Sequence, residues 1–322
     1  MTIPSTERAN ALSTSSPIKR GTFVISLTPF DANGEIDEPA FRAHLGRLRD
    51  AGIGVYVGGS GSGEGYTMTR DETERLLRIA VEELKGKVPV RAMGVEPRTA
   101  KQMIEFLALA KDCGVDAAQV YSLDVGHDVA PTPQEAERYL TDVLEAAELP
   151  VAISTHFSVG YKQPIDLLAK LVDRYPNIVG INCTHPDLHY LSTLIDQVGD
   201  RAAVMVGGPM QGLTVLALGG HGYLSSEGNI APRLCVSVID RFEAKDIDGM
   251  MDAFGRLIRL FGAALSGGGT RVTKSALNRL GLAGGTSRLP RLIIEDERLD
   301  TLLSVIGELD IARIEGWSGS NA

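Results

Sequence analysis

The sequence predicts an α/β chain folded as a (β/α)8 TIM barrel with a C-terminal helical appendage. Three observations carry this. Eight short apolar runs, most of them rich in β-branched residues, recur between Phe23 and Asn229. Each is too short for a helix and fits a strand covered on both faces. Amphipathic stretches with helical spacing lie between them, so strand and helix alternate in units of roughly 20–35 residues, as parallel βα units do. Past Pro232 the alternation stops and only helical patterns remain.

The runs begin at Phe23 (FVISLTPF), Val55 (VYVGGS), Val88 (VPVRAMGV), Ala117 (AAQVYSL), Val151 (VAISTHF), Ile178 (IVGINCTH), Ala203 (AVMVGG) and Gly222 (GYLSSEGN). Of the helices, Glu38 to Ala51 places Phe41, Leu45 and Leu48 on one face. Arg70 to Lys85 does the same with Leu76, Leu77, Ala80, Val81 and Leu84, with Asp71 and Glu72 favourably near its start. Pro39, Thr99, Thr132-Pro133, Pro164 and Pro186-Asp187 mark helix starts; Gly52, Gly86 and Gly114 mark stops. A doubly wound sheet is the alternative. It needs a nucleotide-binding glycine turn after an early strand, and the spacing in Gly58 to Gly63 is a weak match to one. Leu234–Phe242, Ile247–Ser266, Val272–Leu282 and Arg298–Ile314 read as the appended helices. The expected organisation is a flexible tail over residues 1–20, a barrel over 21–232 and a helical region over 233–322.

The chain of 322 residues carries a net charge of −9 and no basic stripe, which argues against a nucleic-acid partner. Cys113, Cys183 and Cys235 are widely spaced, so no disulfide framework is expected and a reducing, cytoplasmic setting is. No apolar run approaches the roughly 18 residues of a membrane span. Residues 1–19 are rich in Ser, Thr and Pro and lack the apolar core of a signal peptide.

Motifs then narrow the reading. Thr28-Pro29-Phe30 is followed by Gly34 and a helix. Gly58-Gly59-Ser60-Gly61-Ser62-Gly63-Glu64 is followed by Tyr66, Thr69 and Glu72. Ile178-Val179-Gly180-Ile181 precedes Asn182. Leu216-Ala217-Leu218-Gly219 precedes Gly222, Ser225, Asn229 and Pro232. In this order, from about Gly21 to Leu282, the chain resembles the dihydrodipicolinate synthase / N-acetylneuraminate lyase family. The resemblance implies a barrel with extra C-terminal helices, a small-molecule carboxylate substrate such as a 2-oxo acid, and a homodimer or homotetramer. It also implies Schiff-base chemistry at a lysine ending the sixth strand, with no bound cofactor.

Against that pattern the chain departs three times. Where the family reads GIKE or GIKD, this sequence reads Gly180-Ile181-Asn182-Cys183, and an amide nitrogen is not a nucleophile. Ser154 stands where the family's fifth strand ends in a proton-relaying tyrosine. Ser122 to Asp128 stands where a Thr-Pro-Tyr-Tyr run is usual. The expected chemistry is therefore that of a lyase, aldolase or dehydratase in type, working without the imine. Its candidate catalytic residues are Asn182, His156, Asp124, His127, Ser154 and Glu227. A histidine tuned near neutral pH serves as acid or base with a carboxylate partner, and the Asn182 amide donates to a substrate carbonyl or oxyanion. Ser60, Gly61 and Ser62 are the candidate substrate-binding residues, since hydroxyls and closely spaced backbone N–H groups suit a carboxylate. Cys183 should face away from the barrel axis if Asn182 faces inward. Lys162, in the loop after the fifth strand, is the one nearby amine that would restore an imine. Two rival readings stay open: a catalytically silent member that binds a ligand or partner enzyme, and a metal-dependent aldolase or hydratase. No metal ligand set is assigned, because no HxH or HExxH spacing is present.

Overall fold

The computed structural model describes residues 18–126, 129–156 and 159–317. Eight strands, β1 (Gly21–Ile25), β2 (Gly54–Val57), β3 (Val90–Ala92), β4 (Ala117–Val120), β5 (Val151–Thr155), β6 (Ile178–Cys183), β7 (Ala203–Gly207) and β8 (Gly222–Ser225), pair in sequential order. All pairs are parallel, and β8 closes onto β1. Helices α1 (Glu38–Asp50), α2 (Arg70–Leu84), α3 (Ala100–Cys113), α4 (Pro133–Ala146), α5 (Ile165–Arg174), α6 (Leu188–Val198), α7 (Gly212–Ala217) and α8 (Pro232–Glu243) follow the strands in turn. The barrel read from the alternation is thus the barrel observed.

Local chemistry sets the helix starts. Thr69 and Glu72 form a reciprocal capping box at α2, and Thr132 and Glu135 another at α4, where Pro133 occupies the first turn. Asp37 caps α1 by accepting from the Ala40 amide. The β3 strand is shorter than its apolar run, because Pro89 has no N–H for a ladder.

Strand residues sort by period two. Val24, Val55, Val57, Val120, Ile153, Ile181, Val204 and Val206 face the helices and join one large core. Phe23, Tyr56, Met93, Tyr121, Met205 and Leu224 face the axis and form a second cluster. Beyond α8 come α9 (Ile247–Ser266), α10 (Thr270–Arg279), α11 (Glu297–Glu308) and α12 (Ile311–Glu315). The single helix expected over 298–314 is two, because the backbone of Asp310 turns left-handed at φ 55°. The expected boundary between 232 and 233 falls on the first turn of α8, which follows β8 and packs on β1. Among the described residues no helix is long and apolar enough to cross a membrane.

Candidate active site

Asn182 lies near the end of β6, paired in register with Ser154 on one side and Met205 on the other. Its side chain faces the axis and is 2% exposed. Nδ2 donates to Gln119 Oε1 at 2.7 Å and to the Tyr56 hydroxyl at 3.1 Å. Both amide hydrogens are therefore engaged by protein, and a substrate oxygen must displace one partner to receive a bond from Asn182. Arg91 Nη1 also donates to the Tyr56 hydroxyl, at 3.2 Å. Cys183 faces the other way, into the core against the helices, and burial pushes its thiol up to about 11. That is the environment of an inert thiol.

Ser154 is 1% exposed, and its hydroxyl oxygen has no hydrogen-bond partner among the described residues. Its carbonyl accepts from Ser122 Oγ at 2.9 Å. Above this layer sits a residue the sequence reading passed over. Glu96, in the loop after β3, accepts from Ser60 Oγ at 2.8 Å. Its charge acts on both Tyr121 and His156. Burial lowers the imidazole of His156 below the ordinary histidine range, and Glu96 opposes that shift. The rings of Tyr121 and His156 meet edge to face with centroids 6.4 Å apart. Burial first, and then the Glu96 charge, raises the Tyr121 phenol, so it keeps its proton at neutral pH. Ser60, Glu96, Tyr121 and His156 thus converge at the C-terminal mouth. The signal in the sequence was the position of Glu96, the first residue after the third apolar run.

The other candidates lie elsewhere or are bound to other groups. Asp124 accepts from its own loop at Gly126 N, 2.8 Å, and its other oxygen lies 3.9 Å from Arg98 Nε. Glu227 is 2% exposed and accepts from Ser225 Oγ at 3.0 Å and from Ser226 Oγ. Burial raises it above the usual carboxylate range. The carboxylate whose charge acts on His156 is therefore Glu96 rather than the expected Asp124 or Glu227. His127 lies outside the described residues.

The loop Ser60 to Gly63 folds tightly on itself. Glu64 N donates to Gly61 O at 3.2 Å and Gly65 N to Gly59 O at 3.1 Å. A Cβ on Gly65 would fall 2.0 Å from Gly58 O, so glycine is required there. Ser62 is buried and Ser60 half-buried. The Glu96 carboxylate beside Ser60 opposes a second carboxylate at that hydroxyl, which leaves Gly61 and Ser62 as the better-placed part of the loop. Glu64 is held by Lys274 of α10 in an ion pair, and Lys274 also donates to Thr286 O at 2.7 Å. Lys162 pairs with Asp187 Oδ2 at 2.6 Å, at the start of α6. Among the described residues no three His, Cys, Asp or Glu side chains are arranged to hold a metal ion.

Comparison with known proteins supplies the context for this geometry. The model of the Dihydrodipicolinate synthetase family matches residues 19–309. A 4-hydroxy-tetrahydrodipicolinate synthase of Hyphomonas neptunium is 32% identical over 275 residues, covering 84% of this chain and 91% of that protein. The enzyme of that name from Phenylobacterium zucineum is 30% identical over 277 residues, covering 85% and 92%. The crystal structure of a dihydrodipicolinate synthase from Bacillus anthracis superposes with a TM-score of 0.83 at 26% identity, covering 91% of this chain and 99% of that one. The dihydrodipicolinate synthase of Aquifex aeolicus gives a TM-score of 0.83 at 25% identity, covering 91% and 98%.

Proposed function

The chain belongs to the dihydrodipicolinate synthetase family, and from that premise we propose that it is a lyase of aldolase or dehydratase type that acts on a small 2-oxo acid without an imine. One observation carries the reading. Asn182 takes the axial place on β6, bonded to Gln119 and Tyr56, while an imidazole, a carboxylate, a phenol and a hydroxyl meet at the mouth. Two candidate amines are engaged by carboxylates, Lys162 by Asp187 and Lys274 by Glu64.

In this reading His156, kept neutral by burial, takes a proton from the carbon next to the substrate carbonyl. Glu96 stabilises the imidazolium that forms, and Ser60 holds Glu96. Tyr121 keeps its proton and donates a hydrogen bond to the developing enolate oxygen. The substrate carboxylate rests on the Gly61–Ser62 turn. The protein works as a homodimer or homotetramer, as the family resemblance implies, and in the cytoplasm, as the widely spaced cysteines suggest.

The test is exchange of the pyruvate methyl protons in deuterated water, followed by NMR, alongside borohydride trapping read by intact mass. The expected result is exchange without a reduced adduct. His156→Gln should lower the exchange rate by about 100-fold or more. The rate should hold as pH falls past the ordinary histidine value of about 6.5 and drop only below it, because His156 is shifted down. Glu96→Gln removes a charge that raises His156, so the acid limb should move to still lower pH. An adduct on Lys162 or Lys274 would overturn the imine-free mechanism.

A second reading has its own observation: the Asn182 amide is saturated by Gln119 and Tyr56. A silent member would bind 2-oxo acids and exchange no protons.

A further inference from the structure

The opposite pole of the barrel carries an unassigned feature. Barrel interiors are packed cores rather than pores. Here the inward positions of the lowest layer are small: Gly21, Gly54, Ala117, Gly180, Ala203 and Gly222. Each lies two residues before an inward position of the layer above. A cavity of about 260 Å³ opens at this N-terminal pole. Its wall includes the apolar side chains of Phe23, Met205, Val236 and Ile239 and the charged ones of Lys19, Arg20, Arg91 and Asp240.

Arg91 is the centre of it. It enters from β3, lies over the Phe23 ring with its guanidinium carbon 4.3 Å from the centroid, and is oriented by the Tyr56 hydroxyl. Among the described residues no carboxylate pairs with it. Arg20 pairs with Glu243 at 3.0 Å, and setting the charge of Asp240 against that of Lys19 leaves, among the described residues, one positive charge in excess, that of Arg91. A half-buried guanidinium facing a cavity, with no counter-ion among the described residues, calls for an anion there.

We propose that the N-terminal pole is a binding site for a small monocarboxylate with an apolar body. The carboxylate pairs with Arg91, and the body packs on Phe23, Met205, Val236 and Ile239. The volume suits a short branched acid and excludes a nucleotide. This site lies at the opposite pole from the mouth and meets Asn182 through the Tyr56 hydroxyl; the proposal does not depend on the reaction assigned at the mouth.

The test is calorimetric titration of the full chain at low ionic strength with isobutyrate, with its neutral isostere isobutyramide, and with inorganic phosphate. The expected result is saturable binding of isobutyrate and at least tenfold weaker binding of the amide. Arg91→Met should abolish binding. Val236→Trp, which fills the cavity from α8 and leaves the charge in place, should abolish it too. Should the arginine variant fail to fold, the tryptophan variant decides. His156→Gln should leave this binding unchanged. Absence of binding, binding that survives Val236→Trp, or binding lost in His156→Gln would overturn the site. Phosphate binding more tightly than isobutyrate through Arg91 would overturn the carboxylate assignment.

Discussion

Lys274 and Asn182 are both polar side chains taken almost wholly out of water, at 0% and 2% exposure, but one is an amine and the other an amide. Lys274 has a carboxylate, Glu64, a carbonyl, Thr286 O, and the face of Phe30 with its centroid at 4.8 Å. Asn182 has a hydroxyl and an amide oxygen, and the nearest charge in its network is the Arg91 guanidinium on Tyr56. A buried ammonium needs an anion; a buried amide needs only matching hydrogen bonds. The C-terminal helices supply the anion's partner to the β2 loop, and the barrel axis supplies none. The difference teaches that the amide at the axis is held by matching hydrogen bonds alone, whereas the amine buried under the C-terminal helices is held by a carboxylate.

The widest test of this contrast is Lys274→Met. It strands the Glu64 carboxylate in the interior, where the Glu64 Oε2 atom already lacks a partner. The expected loss is about 3–5 kcal/mol in denaturant unfolding. Adding Glu64→Gln should recover part of it; no recovery would show that the pair is not the source. Asn182→Leu should cost less, about 1–3 kcal/mol, since it leaves Gln119 Oε1 without its donor but strands no charge. A loss as large as that of Lys274→Met would break the comparison. Tyr56→Phe removes the hydroxyl between Arg91 and Asn182 and should cost about 1 kcal/mol, read from the same unfolding midpoints. Lys162→Met should leave the midpoint within error, because Lys162 and Asp187 both sit partly in solvent; a clear shift would mark that pair as more than a surface contact.

The fold was legible because period and length are local. Runs such as Val151–Thr155 and Ile178–Cys183 carry β-branched residues between turn signals, and the helices announce themselves by capping residues such as Thr69 and Thr132. The site was legible only in part. Asn182 and Ser154 could be named because each stands where the family resemblance expects a catalytic residue, and the opposite facing of Asn182 and Cys183 followed from alternation. Asp124 and Glu227 carry the right chemistry in the right loops, but a Gly126 amide and two serine hydroxyls engage them. No spacing reveals such partners. Glu96 was overlooked because its partners Ser60 and His156 come from other strand ends, 36 residues away in the case of Ser60.

What the sequence by itself determined is the order of the elements, the closed parallel barrel and the identity of the residue at position 182. All of these rest on patterns a few residues long. What only the tertiary structure decided is proximity: Glu64 paired with Lys274, Asn182 with Gln119 and Tyr56, the charge of Glu96 acting on His156, and Arg91 with no carboxylate among the described residues. The strength of a charge and the availability of a hydrogen bond depend on what lies within a few ångströms, and barrel closure brings together side chains that the chain keeps tens to hundreds of residues apart.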